Sequence, residues 1–266
     1  MERRRSNNLG RSVKVPELPE VEQMARLVRL IAVNAGRCKL DIYDKRLEAL
    51  SGDLGIFLTA TRRGKELLLS FSEAKVSIHP RMTGRLEPLP TKTNGRAGFS
   101  FENGDGFVFV DQRCLGQLEL GEFSPRDLGP EPWEEGAAPK DSLWYRQAFG
   151  KFSGSVKSAL MNQRLIAGLG NIAAIESLWR AGIDPRTPTQ SLTDDQLNEL
   201  ADGVYRYIER TITSEDPLQM KYVNEGGDNP FMIYGRVGEG CPACGDVISS
   251  FKLAGRGTAW CASCQL

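Results

Sequence analysis

Three stretches of this chain carry residue types whose spacing could do chemistry, and four cysteines make the strongest case. Cys241 and Cys244 form one C-x-x-C pair and Cys261 and Cys264 another, with sixteen residues between the pairs. Two such pairs fit one tetrahedral, structural Zn2+ with four thiolate ligands, because each C-x-x-C turn presents two sulfurs to a single ion. The intervening segments Val247 to Leu253 and Thr258 to Trp260 read as the strands of a hairpin with Gly255-Arg256-Gly257 at its tip. A unit this small has no core of its own, so the metal would supply its folding free energy. Taken alone, the ribbon is a structural staple or a DNA-contacting finger; an exposed arginine at the tip favours contact. Cys38 and Cys114 stand alone.

The second stretch, Gly168-Leu169-Gly170-Asn171-Ile172, satisfies G-x-G-x-x-A through Gly168, Gly170 and Ala173. A dinucleotide site needs a strand before that motif, and Val156 to Met161 reads as a helix; the ribose-binding acid about 20 residues on is also missing. Read as helix, two turns, helix, the stretch puts Asn171 at the N-cap of the second helix, where free amides and the helix dipole favour a phosphate. The third stretch, Pro16-Glu17-Leu18-Pro19-Glu20-Val21-Glu22, is on its own a proline-rich start to a helix with acids near the positive end of its dipole. Spacing does not separate that reading from a catalytic one.

These residues need elements to hold them. Val21, Met24, Leu27, Val28 and Ile31 recur at helical spacing, which predicts an amphipathic helix from Pro19 to about Asn34 with Gly36 beyond its end. Runs at Ile56 to Thr61, Glu66 to Phe71, Phe99 to Phe101, Phe107 to Val110 and Gln117 to Leu120 alternate like strands, predicting a largely antiparallel β-domain. Alternation stops after a stretch rich in Pro, Gly and Glu, and Ile172 to Ala181 and Asp194 to Ile212 read as helices. The polar, Gly-rich run from Glu215 to Pro230 suits a mobile loop. The expected division is a tail at 1–14, an N-terminal domain at 15–127, a hinge at 128–145, a helical domain at 146–232 and a zinc finger at 233–266.

A chain of 266 residues accommodates two modest cores, and its 40% hydrophobic content is ordinary for a globular protein. The formal charge of zero argues against a protein that coats DNA by electrostatics alone, so any nucleic-acid surface must be local. No apolar run approaches the roughly 20 residues needed to span a bilayer, so no membrane partner is expected. The tail, with Arg3, Arg4, Arg5, Arg11 and Lys14, is followed by no apolar h-region, which predicts a cytoplasmic protein acting beside chromosomal DNA. In that setting paired cysteines read as metal ligands rather than disulfides. Nothing signals a symmetric interface, so a monomer is the default.

Taken together, these residues resemble the formamidopyrimidine-DNA glycosylase family, related to endonuclease VIII. The matching segments are PELPEVE at 16–22, RRGKELLL at 62–69, HPRMTGRL at 79–86, LGPEP at 128–132, NQRLIAGLGNI at 162–172 and GRGTAWCASCQ at 255–265. The resemblance implies an α+β multidomain fold: an antiparallel β-sandwich with a helix, a helix-two-turns-helix domain and a zinc-ribbon hairpin, with damaged double-stranded DNA in the cleft between the halves. It implies a bifunctional glycosylase and abasic-site lyase of base excision repair, removing 8-oxoguanine and formamidopyrimidines by β,δ-elimination. Pro16 would attack C1′ as a secondary amine; an N-terminal amine has a pKa near 8 against about 10.4 for lysine, and so keeps a useful neutral fraction. Glu17 would move protons, Glu20 would support it, Lys65 would assist β-elimination, and Arg256 would contact phosphate and assist δ-elimination. Met82, Arg113 and Leu115 would fill the gap left by the extruded base. Asn171, Arg96, Lys151 and His79 would contact DNA.

The chain departs from the family's pattern in places. Asp111-Gln112-Arg113-Cys114-Leu115-Gly116 stands where DPRRFG is usual, so Leu115 replaces an aromatic. Arg96 stands where a DNA-binding histidine is common, and Ser153 near a usual lysine, with Lys151 close by. With residues 1–15 attached, Pro16 has an amide nitrogen without a usable lone pair; Val15 read as an initiator methionine and then removed would expose it. Two other readings stay open: an oxidised-pyrimidine glycosylase of endonuclease VIII type, and a catalytically silent damage-binding protein that keeps its tail.

Overall fold

The computed structural model describes residues 15–91, 94–123, 127–214 and 229–266, apart from the side chains of residues 48 and 49. The basic tail, and residues 215–228 of the expected loop, lie outside the described residues.

Helix α1 spans Leu18–Ile31 and ends earlier than its apolar spacing predicts, because the chain turns through Asn34 and Gly36 at positive φ. Its amphipathic reading is incomplete too: Glu20, Glu22 and Gln23 are buried along with Val21, Met24, Leu27 and Val28. The cause is a second neighbour. The helix packs on strands with one face and on the helix Asp194–Thr213 with another.

Eight strands follow: β1 Arg37–Ile42, β2 Gly52–Arg63, β3 Glu66–Phe71, β4 Lys75–His79, β5 Arg85–Pro88, β6 Ala97–Phe101, β7 Gly106–Val110 and β8 Gln117–Leu120. All pair antiparallel in the order β5-β7-β6-β1-β2-β3-β4-β8. The long β2 makes two layers out of this path. Its first half pairs with β1, from Leu40↔Gly52 to Arg37↔Ile56, and its second half with β3, from Phe57↔Phe71 to Arg63↔Glu66. Leu40, Phe99 and Phe107 of one layer and Leu67, Leu69, Val76 and Ile78 of the other share one core with α1. Phe57, at the crossover, sets its ring edge-on to Phe71 at 5.8 Å and to Phe101 at 6.5 Å. The arrangement is the expected β-sandwich. Pro88, which cannot donate to a ladder, lies in the edge strand β5 where that costs nothing.

The helical half contains α2 Ser142–Phe149, α3 Val156–Met161, α4 Asn171–Arg180 and α5 Asp194–Thr213 around a second core. Local caps start three of them: Asp141 accepts from Trp144 N–H at 2.8 Å, Ser155 from Ser158 N–H at 3.3 Å, and Thr193 from Gln196 N–H at 3.2 Å. The connecting segment is tied down. Glu131 accepts from Arg62, Arg63 and the Gly64 N–H, each at 2.7 Å, and Trp133 is buried with its indole N–H on Glu209 at 2.6 Å. The third unit is a hairpin of β9 Ser249–Leu253 and β10 Arg256–Trp260. Its turn is Ala254-Gly255, both at positive φ as a two-residue type I′ hairpin requires. Arg256 is therefore the first residue of β10, paired with Leu253, rather than the loop tip.

Candidate active site

The residue after Pro16 decides how the two halves meet. The Glu17 carboxylate accepts hydrogen bonds from the N–H groups of Gly170, Ile172 and Ala173, each at 3.0 Å. These are the free donors at the start of α4, where the helix dipole also favours negative charge. The α4 N-cap is Gly170, not Asn171, and the amides expected to receive a phosphate are taken by this carboxylate. Gly170 has to be glycine: a Cβ there would lie 2.2 Å from Glu17 Oε1 and 2.6 Å from Lys65 Nζ. The junction is reinforced on the main chain, with Leu18 N–H donating to the Gly168 carbonyl at 3.0 Å. Gln163 fixes the two-turn loop from within, donating to the Leu169 carbonyl at 2.6 Å and accepting from Gly168 N–H at 2.9 Å. Glu20 accepts from Glu17 N–H at 2.9 Å and so holds the backbone beside Pro16.

Beside this junction lies a cleft of about 840 Å³, lined from all three units by Pro16, Glu17, Lys65, His79, Met82, Leu115, Asn171 and Arg256. Lys65 sits in the tight turn between β2 and β3 that Gly64, at φ 56°, makes possible. Burial lowers the Lys65 pKa; the carboxylates of Glu17 and Glu20 pull upward and Arg256 downward, and the result stays below the usual lysine value. Arg256 is aimed at the cleft by two side chains of the helical half. Asn171 donates to the Gly257 carbonyl at 3.2 Å, and Lys157 donates to Thr258 Oγ1 at 2.8 Å.

Lys157 is a residue the sequence reading passed over. It is 1% exposed, and burial, with help from Arg256, pushes its pKa down to about 8. The available signal was a lysine inside the short apolar helix Val156–Met161, where a charged side chain needs a partner. Tyr234 also lines the cleft, carried by a segment whose N–H groups at Met232, Ile233 and Tyr234 all donate to the buried Glu176 carboxylate of α4, at 2.8–3.0 Å.

Met82 and Leu115 reach the cleft from two turns, 80–84 and 111–116, and each turn contains a non-glycine residue in the left-handed region: Arg81 at φ 55° and Cys114 at φ 52°. Such backbone costs about 1 kcal/mol or more and persists only where its surroundings hold it. Leu115 is 46% exposed at the cleft wall. Arg113 is exposed on the same turn but outside the cleft lining, and Lys151 is exposed after α2, also outside it. His79, the last residue of β4, accepts from Arg81 N–H through Nδ1 at 3.2 Å and so braces the start of the first turn. Arg96 differs from its expectation. It is buried, with its guanidinium on Asp44, Asp111 and the Gly116 carbonyl, so it faces the interior rather than a DNA surface.

The four cysteine sulfurs lie within 4.8 Å of one another, with Cys241–Cys264 at 3.8 Å and Cys244–Cys261 at 3.5 Å. A tetrahedron with Zn–S bonds of about 2.3 Å has edges of about 3.8 Å, whereas a disulfide would bring sulfurs to about 2.05 Å. The donor set fits one structural Zn2+. Trp179 of α4 donates its indole N–H to Cys241 Sγ at 3.4 Å, an outer contact of the kind that orients a metal ligand.

A two-layer β-domain, a helix-two-turns-helix unit and a thiolate zinc hairpin around one cleft define a class of DNA repair enzyme, and comparison with known proteins names the family. The N-terminal domain of formamidopyrimidine-DNA glycosylase matches residues 15–118, its H2TH domain residues 128–221, and the zinc finger found in FPG and IleRS residues 238–266. The formamidopyrimidine-DNA glycosylase of Parasynechococcus marenigrum is 35% identical, covering 94% of this chain and 100% of that one. Lactococcus lactis Fpg in complex with abasic-site DNA superposes with a TM-score of 0.77 at 27% identity, covering 94% and 99% of the two chains. The same protein with DNA containing N7-benzyl-Fapy-dG gives 0.77 at 28% identity, with the same coverage. The chain belongs to the formamidopyrimidine-DNA glycosylase family. It is a base-excision-repair DNA glycosylase with abasic-site lyase activity and one structural zinc.

Proposed function

We propose that this enzyme excises oxidised purines from duplex DNA through a covalent intermediate at Pro16. The observation that carries the reading is the convergence of Pro16, the helix-capped Glu17, the desolvated Lys65 and Arg256 on one cleft. The Pro16 nitrogen uses its lone pair to form a bond to C1′; the C1′–N9 bond breaks, and its electrons leave with the base, which takes a proton. Opening of the sugar places a proton on O4′ and leaves an iminium between Pro16 and C1′. Glu17 lies beside the nucleophile to handle these protons. A neutral Lys65 then removes a 2′ proton, the 3′ phosphate departs, and Arg256 steadies the phosphate charge as the second elimination releases the 5′ phosphate. Met82, Arg113 and Leu115 fill the gap left by the extruded nucleotide. Asn171, Lys151 and His79 serve the phosphate backbone, and the enzyme acts as a monomer inside the cell. Residues 15–127, 146–232 and 233–266 serve as its three domains.

The chemistry requires a free amine on Pro16, so residues 1–15 must be absent from the active protein. Borohydride trapping on an 8-oxoguanine duplex tests this, with the full chain and a chain beginning at Pro16 in parallel. Trapping by the second alone is expected. Trapping by neither, with duplex binding intact, would establish a damage-binding protein without catalysis, and a clear preference for thymine glycol over 8-oxoguanine would move the substrate to oxidised pyrimidines.

A further inference from the structure

The two turns that bring Met82 and Leu115 to the cleft are fastened to the same buried carboxylate. Asp111, its side chain 0% exposed, accepts from the Gly116 N–H at 2.6 Å in its own turn and from the Thr83 hydroxyl at 2.5 Å in the other. Arg96 completes the arrangement from the start of β6. Its Nη1 donates to the Gly116 carbonyl at 2.5 Å and approaches Asp111 Oδ2 at 3.4 Å, and its Nε donates to Asp44 at 2.8 Å. The guanidinium lies over the Phe109 ring, 5.8 Å from its centroid, and the Arg96 N–H donates to the Phe109 carbonyl at 2.7 Å. There is no slack at the far side, because a Cβ on Gly116 would lie 2.7 Å from Phe109 Cζ and 3.0 Å from Asp111 Oδ2.

A buried guanidinium between two carboxylates is an expensive way to fill space; an apolar group of similar volume is commonly as stable. What it provides here is direction. One planar group with fixed donors sets both ends of a turn whose Cys114 is held at positive φ, and through Asp111 it relates that turn to the Met82 turn.

We propose that Arg96 is a positioning residue for gap filling: through Asp111 and the Gly116 carbonyl it fixes the 111–116 turn so that Arg113 and Leu115 enter the duplex at one depth with Met82. This rests on the reading above that those three residues fill the gap. It needs no DNA contact from Arg96 itself.

The test uses the full chain, since binding does not need a free Pro16. Affinity is measured for a duplex carrying a tetrahydrofuran abasic analogue and for the same duplex intact, with 2-aminopurine opposite the lesion to report insertion. Arg96→Met is expected to lower the abasic-over-intact affinity ratio by about 5- to 100-fold, the scale of one bidentate contact, and to lose most of the fluorescence change. Arg96→Lys, which keeps the positive charge beside Asp111 and the Gly116 carbonyl, should recover part of both. A purely structural role would weaken both duplexes together, with a lower Tm and no recovery by lysine, and that result overturns the proposal. So does an unchanged ratio in a folded Arg96→Met protein while Leu115→Ala alters ratio and fluorescence. If Leu115→Ala alters neither, gap filling itself fails and the proposal falls with it. Should Arg96→Met not fold, Asp44→Ala removes the outer partner of the guanidinium and is judged by the same criteria.

Discussion

Two lysines, the half-buried Lys65 and the buried Lys157, have pKa values moved in the same direction for different uses. Lys65 is lowered by burial at the cleft wall, so its neutral fraction at a given pH exceeds that of an exposed lysine. Strand cleavage at a preformed abasic site should therefore rise with pH through a value below the ordinary lysine range and then level off. Lys65→Arg has no neutral form in that range, and cleavage should fall by about 10²- to 10⁴-fold with loss of the rising limb; an unchanged limb would assign the base elsewhere. Lys157 is lowered to about 8, whereas an unfolded lysine titrates near 10.4. Between those values the unfolded chain binds more protons, so the folded state gains stability as pH rises across that window and bears the burial penalty below it. Replacing Lys157 with Met should flatten this window, by up to about 3 kcal/mol in the pH dependence of unfolding, which denaturant melts at pH 7 and pH 10 would reveal.

At the scale of elements, the zinc hairpin is the clearest dependence. Its core is a handful of residues, among them Ile233, Ile248 and Ala259, far too few to fold alone. Chelation should disorganise β9 and β10, shift the fluorescence of Trp179 and Trp260, and abolish tight duplex binding, while strand and helix circular dichroism persists; unchanged binding would contradict the role given to Arg256. This element was legible in the sequence because four cysteines at two fixed spacings admit few arrangements. Strand β1 was not read: Arg37, Lys39 and Asp41 mask an alternation whose inner residues are Cys38 and Leu40. Strand β5 is four residues long and contains a proline. Nor do α1's acids announce their destination. Periodicity reports a face, and only the folded chain brings Glu17 to amides more than 150 residues away. Arg96 shows the same limit: its place in the family's pattern suggested DNA contact, and its partners, Asp44 and Asp111, became visible only in three dimensions.

For the whole molecule, the seam between the sandwich and the helical half is where the two cores and the Glu17 carboxylate meet. Leu18 belongs to the helical core, while Val21, three residues on in the same helix, belongs to the sandwich core. Gly168 permits this contact at φ 86°, and a Cβ there would lie 2.8 Å from Leu18 Cβ. Gly168→Ala should cost about 1–3 kcal/mol of stability from strain and overpacking. It should also slow single-turnover excision by shifting Glu17 from α4, with zinc content unchanged. A loss of stability with full excision would separate the seam from the chemistry.

The Glu17 junction also has a mechanical meaning. A carboxylate engaged by three backbone donors pins the floor of the cleft, so the sandwich and helical halves cannot swing apart there without dismantling the site. If the duplex lies in this cleft as proposed, a junction so tied would pass the work of adjustment to the nucleic acid. Bending a site of 20–30 base pairs costs of order 1–6 kcal/mol and depends on the steps being bent. A nucleotide that stacks poorly weakens the rod at one point. On the proposed function, a cleft of fixed angle would select the sites where DNA yields most readily.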